Sequence, residues 1–121
     1  MAELLAGQVS DFDEERRKII SANGREIVIF RHKDRFYALD NTCLHQGGPV
    51  GEGVILGKVE AILSEDKRFL GERFSEEEIH IVCPWHGWEY DIETGQCAGD
   101  RRLRLRRYET QQRGDEVYVI V

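Results

Sequence analysis

The sequence predicts an all-β protein built as one domain. Three observations carry that prediction. Short runs rich in valine, isoleucine and aromatic residues recur along the chain, tight-turn dipeptides separate them, and two glycine-containing Cys/His loops sit between strands. At 121 residues the chain has the usual length of a single domain, here taken as 1–121, and can bury a core without disulfide staples.

Taken in order, Arg16 to Ser21 and Arg25 to Arg31 flank Ala22-Asn23-Gly24. Asn-Gly between apolar runs signals a hairpin, because both residues tolerate positive φ. Lys33-Asp34 then turns the chain into Arg35 to Asp40, completing an antiparallel meander. The stretch 41–53, glycine-rich with Pro49, reads as a loop, and Gly53 to Leu63 as one or two short strands. Ser64 to Glu78 is highly charged, and the Ser75/Glu78 spacing suits the capping box of a short helix. Ile79 to Val82 is a short strand leading into a second loop, about 81–91, after which Glu89 to Ile92 resumes strand character before Glu93-Thr94-Gly95. In the arginine-rich stretch, strand geometry would turn Leu103 and Leu105 inward and Arg102, Arg104 and Arg106 outward. Tyr108 to Gln112 and Glu116 to Val121 close the chain as a hairpin around Arg113-Gly114-Asp115.

Composition narrows the function classes. No apolar run approaches the roughly 18 residues that span a bilayer, and Met1-Ala2-Glu3-Leu4-Leu5 lacks the features of a secretory signal. A cytoplasmic protein with no membrane partner is expected. The net charge of −6 opposes phosphate, so no nucleic-acid partner is expected. Five of the 17 basic residues nevertheless fall within Arg101 to Arg107, which contains no acid. That polarity suits either a solvated strand face or a docking strip for an acidic protein partner. Three cysteines cannot form a complete disulfide framework, and in a reducing compartment such cysteines are more often metal ligands or buried small apolar residues.

Two cysteines have a histidine close by: Cys43-x-His45 and Cys83-x-x-His86. Two thiolates and two imidazoles suit either zinc or a [2Fe–2S] cluster with mixed ligands. Zinc fingers usually pair Cys with Cys and His with His. One of each in both loops suits a dinuclear cluster better, because each loop can send its cysteine to one iron and its histidine to the other.

Cys43-Leu44-His45-Gln46-Gly47-Gly48-Pro49 and Cys83-Pro84-Trp85-His86-Gly87-Trp88-Glu89-Tyr90-Asp91 resemble the two cluster-binding loops of Rieske ferredoxins, the electron carriers of oxygenase systems. The likeness runs from about Arg16 to the C-terminus. It implies three stacked antiparallel sheets with a small cluster-binding subdomain. It also implies one Rieske-type [2Fe–2S] cluster, with Cys43 and Cys83 on a buried iron and His45 and His86 on an outer one. The implied role is that of a one-electron carrier with no catalysis of its own, between a flavin- or iron–sulfur-containing reductase and a terminal oxygenase. A Rieske oxygenase would need a second iron site, for which only His32 and His80 remain. An accessory subunit similar to the small subunit of nitrite reductase, a redox-sensing module and a zinc-binding module are the other readings.

The sequence departs from its relatives at several positions. Respiratory Rieske proteins carry a disulfide between the two loops, but Gly48 and Trp85 occupy those places here, and Trp88 replaces a hydroxyl donor. Tyr90 matches a tyrosine that donates toward a cluster sulfur. One donor fewer predicts a potential near the low end of the Rieske range, roughly −150 mV. The 37 residues between His45 and Cys83 are about twice the family's usual number, with a charged insertion at about 59–78. It is expected either as a tolerated surface loop or as an arm beside the cluster that selects a partner. Cys97 is expected to pack as a small apolar residue, and His32 and His80 to lie at the surface. Trp85 and Trp88 are expected to shield the cluster or contact a partner.

Overall fold

The computed structural model describes the backbone of residues 2–121 and their side chains apart from those at 14 and 15. Nine strands form two antiparallel sheets: β1 (Glu3–Gln8), β2 (Lys18–Ala22), β3 (Arg25–His32), β4 (Arg35–Asp40), β5 (Val54–Leu63), β6 (Phe69–Val82), β7 (Glu89–Asp91), β8 (Arg107–Arg113) and β9 (Glu116–Ile120). The larger sheet runs β1-β9-β8-β4-β3-β2 and the smaller β5-β6-β7. Only Ala38–Tyr108 and Leu39–Arg107 join β4 to β8. The larger sheet is therefore two three-stranded halves fused at one seam, and with β5-β6-β7 it makes up the three sheets expected of the fold.

The meander forms as its residues dictate. Asn23 and Gly24 take φ of 51° and 77°, and Lys33 and Asp34 take 50° and 64°, the left-handed pairs that match strand twist in two-residue hairpins. β3 is buried on both faces, which explains its unbroken apolar run Ile27-Val28-Ile29-Phe30. Val28 and Phe30 join Tyr37, Leu39, Ile81, Tyr90, Ile92 and Leu105 in one core cluster. Ile27 and Ile29 join Phe12, Ala38, Tyr108, Val117 and Val119 in another. Cys43, Cys83 and Cys97 all lie in the first cluster, between the β2–β4 half-sheet and the smaller sheet.

Several expectations are corrected. The N-terminal residues form β1 against β9, followed by a 3₁₀ helix at Val9–Glu15. Gly53 to Leu63 holds a single ten-residue strand, β5. Ser75 to Glu78 is no helix but a wide bulge in β6. Gly57 pairs with Ile79 and Val59 with Phe74, so four residues of β6 face Lys58 alone. The Ser75 hydroxyl accepts the N–H groups of Glu77 and Glu78 at 3.1 and 3.0 Å, a local bond that the capping-box spacing mimics. The bulge needs Gly57, where a Cβ would lie 1.9 Å from the Ser75 carbonyl oxygen. Residues 59–78, expected as an insertion, thus form a two-stranded ribbon and not a loop. Arg101 to Arg106 lies outside any strand. Leu105 is buried as expected, but Leu103 is exposed.

Candidate metal centre

Both loops leave the ends of core strands and fold in the same way. The Cys43 N–H donates to the Gly48 carbonyl at 2.9 Å, and the Gly47 N–H returns to the Cys43 carbonyl at 3.0 Å. In the second loop the Cys83 N–H donates to the Trp88 carbonyl at 2.8 Å, and the Gly87 N–H returns to the Cys83 carbonyl at 3.2 Å. Gly47 and Gly87 hold equivalent left-handed positions, with φ of 76° and 72°. Within this shared frame the histidines are offset by one residue, third in the first loop and fourth in the second.

The four candidate ligands fall into a buried pair and an exposed pair. Cys43 and Cys83 are buried, while His45 and His86 are exposed with ring centroids 5.1 Å apart and planes at 81°. Burial pushes the Cys83 thiol's pKa up, and the neighbouring Cys43 adds to this, while the Trp85 backbone N–H pulls the other way. A thiol must release its proton to bind metal.

The loops also hold each other's imidazoles. Trp88 of the second loop stacks on His45 at 4.6 Å and 10°. Gln46 Oε1 of the first lies 3.0 Å from His86 Nε2. An Nε2–H donating to Gln46 leaves Nδ1 as the free lone pair. The Tyr90 hydroxyl lies 3.1 Å from Cys43 Sγ and accepts the Leu44 N–H at 3.1 Å. Burial, then the Cys43 contact, raises the Tyr90 pKa and keeps the phenol protonated. Gly48 and Trp85 do face each other: a Cβ on Gly48 would lie 2.9 Å from Trp85 Cβ. Trp85 itself is half exposed.

Supports that the sequence did not reveal hold the first loop from behind. Buried Asn41 accepts the Gly51 N–H on its side chain at 2.7 Å and the Val50 N–H on its carbonyl at 2.8 Å. Arg17 donates to the carbonyls of Gly51 and Gly53. An asparagine at a strand end and an arginine just before β2, distant in sequence, carry no local signal for these contacts. His80 is not at the surface but buried between Glu78 and Glu89. His32 is half-buried rather than solvated, and Cys97 is buried in the core as expected.

Among the described residues, no three His, Cys, Asp or Glu side chains gather as the cage of a single ion. A buried pair of thiols and an exposed pair of imidazoles fit the mixed Cys/His donor set of an iron–sulfur cluster. No helix among the described residues is long and apolar enough to cross a membrane.

Comparison with known proteins agrees. The Rieske [2Fe–2S] domain model matches residues 2–109. A human Rieske domain-containing protein is 34% identical over 90 residues, 74% of this chain and 46% of that protein, so the chain spans about half of that relative. The ferredoxin component of the alkene monooxygenase system of Xanthobacter autotrophicus is 22% identical over 111 residues, 92% of this chain and 75% of that one. Among solved structures, a protein assigned as the small subunit of an NADPH nitrite reductase superposes with a TM-score of 0.75 at 14% identity, covering 100% of both chains. The ferredoxin of carbazole 1,9a-dioxygenase from Nocardioides aromaticivorans gives 0.70 at 21% identity, covering 98% of this chain and 97% of that one. These two structures establish the shared fold. With the family model matching nearly the whole chain, the protein belongs to the Rieske [2Fe–2S] domain family, and its cofactor is a Rieske-type [2Fe–2S] cluster.

Proposed function

We propose that this chain is a soluble, cytoplasmic one-electron carrier whose cluster is held by Cys43, His45, Cys83 and His86. It takes electrons from a flavin- or iron–sulfur-containing reductase and delivers them to a terminal oxygenase. The observation that carries this reading is the division into two pairs: thiols buried in the core and imidazoles side by side at the surface. When bound, the cluster supplies a one-electron couple. The protein's residues anchor it through the buried thiols, keep water from the sulfurs, and present the His45 and His86 edges to a partner. The oxygenase assignment draws on the relatives named above, and the nitrite reductase likeness speaks for fold alone.

The visible spectrum and the electron paramagnetic resonance spectrum of the dithionite-reduced protein test the ligand set. A Rieske signal is expected in the wild type, and its loss in Cys43→Ser and His86→Ala. A colourless protein binding one zinc would sink the reading. Reconstituted turnover with candidate reductases and oxygenases tests the partners. The midpoint is expected near the low end of the Rieske range, roughly −150 mV, and a value well above zero at neutral pH would contradict it.

A further inference from the structure

β5 is the outer strand of its sheet, and among the described residues no strand pairs with its free edge. Its odd-numbered residues share one face. At the base of the ribbon that face is core: Ile55 and its partner Ile81, then Ile79 opposite Gly57. Farther out the same face carries Val59, Ala61 and Leu63, with Phe74 and Phe69 paired opposite Val59 and Leu63. Here it is bare, Phe69 being 64% and Phe74 62% exposed. The opposite face holds the Glu60–Arg73 ion pair at 3.2 Å beside the partly exposed Ile62. A core face therefore continues past the body as an apolar overhang. A ribbon with nothing packed on it is marginal in water, and a long apolar edge strand is a template for pairing.

We propose that a second copy of this chain covers both, with β5 pairing antiparallel to β5 of the other copy about a two-fold axis at Val59. Three features select a second copy. The first is self-complementarity. Centred on Val59, each Lys58 lies opposite Glu60 of the other copy and each Ile55 opposite Leu63, and these are the only two charges on the strand. Secondly, this register runs each overhang beside the base of the other copy's β5. There a groove of about 260 Å³ lies open, lined by Phe30, His32, Val54 and Ile55 among others. The third is an orphaned atom at that groove: His32 Nε2 is buried with no hydrogen-bond partner. The polar turn after Leu63, beginning at Ser64, brings groups of the kind it lacks.

Sedimentation of the full, cluster-loaded chain is expected to show a concentration-dependent dimer. Val59→Cys places two thiols on the axis, where Cα atoms of an antiparallel pair lie about 4.5–5.5 Å apart, within disulfide reach. It is expected to cross-link under mild oxidation, whereas Ala61→Cys, which faces Gly57, is not. Lys58→Glu is expected to weaken the dimer about tenfold or more, and Lys58→Glu with Glu60→Lys to restore it. Both sites lie outside the core, and an unchanged cluster spectrum checks that the variants fold. A monomer even at millimolar concentration overturns the proposal. So does a dimer indifferent to both the cysteine and the charge variants. Protection of the ribbon from hydrogen exchange only on adding a reductase or oxygenase would assign the face to that partner instead.

Discussion

At Gly48 the two loops come close, and the contact is with stiff atoms. A Cβ there would lie 2.7 Å from Trp85 Cγ and 2.9 Å from Cys83 Sγ, neither of them the free end of a flexible chain. Overpacking of this kind costs about 1–3 kcal/mol, and at this position the strain falls on a candidate ligand. Gly48→Ala is expected to lower iron per chain and visible absorbance severalfold while the far-ultraviolet β signal persists. Full cluster content would show that the indole moves aside freely. At Tyr90 the hydroxyl lies 3.1 Å from Cys43 Sγ, and a hydrogen bond to a cluster sulfur favours the reduced state, which carries more charge. A net worth of about 1–1.5 kcal/mol, at 59 mV per tenfold for one electron, predicts that Tyr90→Phe lowers the midpoint by about 50 mV. A redox titration that returns the wild-type value would remove Tyr90 from the tuning of the site.

At the scale of elements, β6 and β7 are tied by His80, whose Nδ1 lies 3.0 Å from Glu89 Oε1 and Nε2 2.6 Å from Glu78 Oε2. Burial pushes the Glu78 carboxyl upward, but the His80 hydrogen bond and the charges of Lys58 and Arg101 outweigh it and hold it below its ordinary 4.5. A carboxyl depressed on folding contributes stability above its unfolded pKa, and that stability is lost as pH falls through the lower folded value. The thermal midpoint is therefore expected to drop on acidification below about pH 4.5, and Glu78→Gln to start lower at neutral pH and decline less steeply in acid. Parallel slopes for the two proteins would show that Glu78 is not the group responsible. None of this was legible in the sequence, because His80 stands in a strand whose neighbours on either side come from β5 and β7. The same reason hid β1: only Ala6 of its six residues is buried, and its partner strand lies at the far end of the chain. β6 misled because its outer half is solvated, so no core periodicity marks it as a strand. What was legible is local: hairpins set by turn chemistry, a doubly buried strand, and two loops whose candidate ligands stand two or three residues apart.

At the scale of the whole molecule, the arginine-rich segment starts near the candidate site and runs away from it toward β8. Arg101, Arg102, Arg104, Arg106 and Arg107 are all exposed, on a chain whose net charge is −6. They are not equivalent. Arg102 is tied to Asp100 by two 3.0 Å contacts, and Arg106 lies over the Tyr108 ring. The segment begins beside the second loop, where Gly87, Trp88, Ala98, Asp100 and Leu103 line a shallow pocket of about 400 Å³. A partner that docks on the His45 and His86 edges would thus have the start of this segment near its rim. Rim charges act mainly on the rate of encounter, which falls with ionic strength. Arg101→Glu with Arg104→Glu spares the Asp100–Arg102 pair. The double variant is expected to slow association with an acidic reductase or oxygenase about tenfold at low salt, with little change at high salt and none in the midpoint potential. Stopped-flow reduction at several salt concentrations measures both limits. If the salt dependence keeps its wild-type slope, the arginines are a solvated surface and the docking strip lies elsewhere on the molecule.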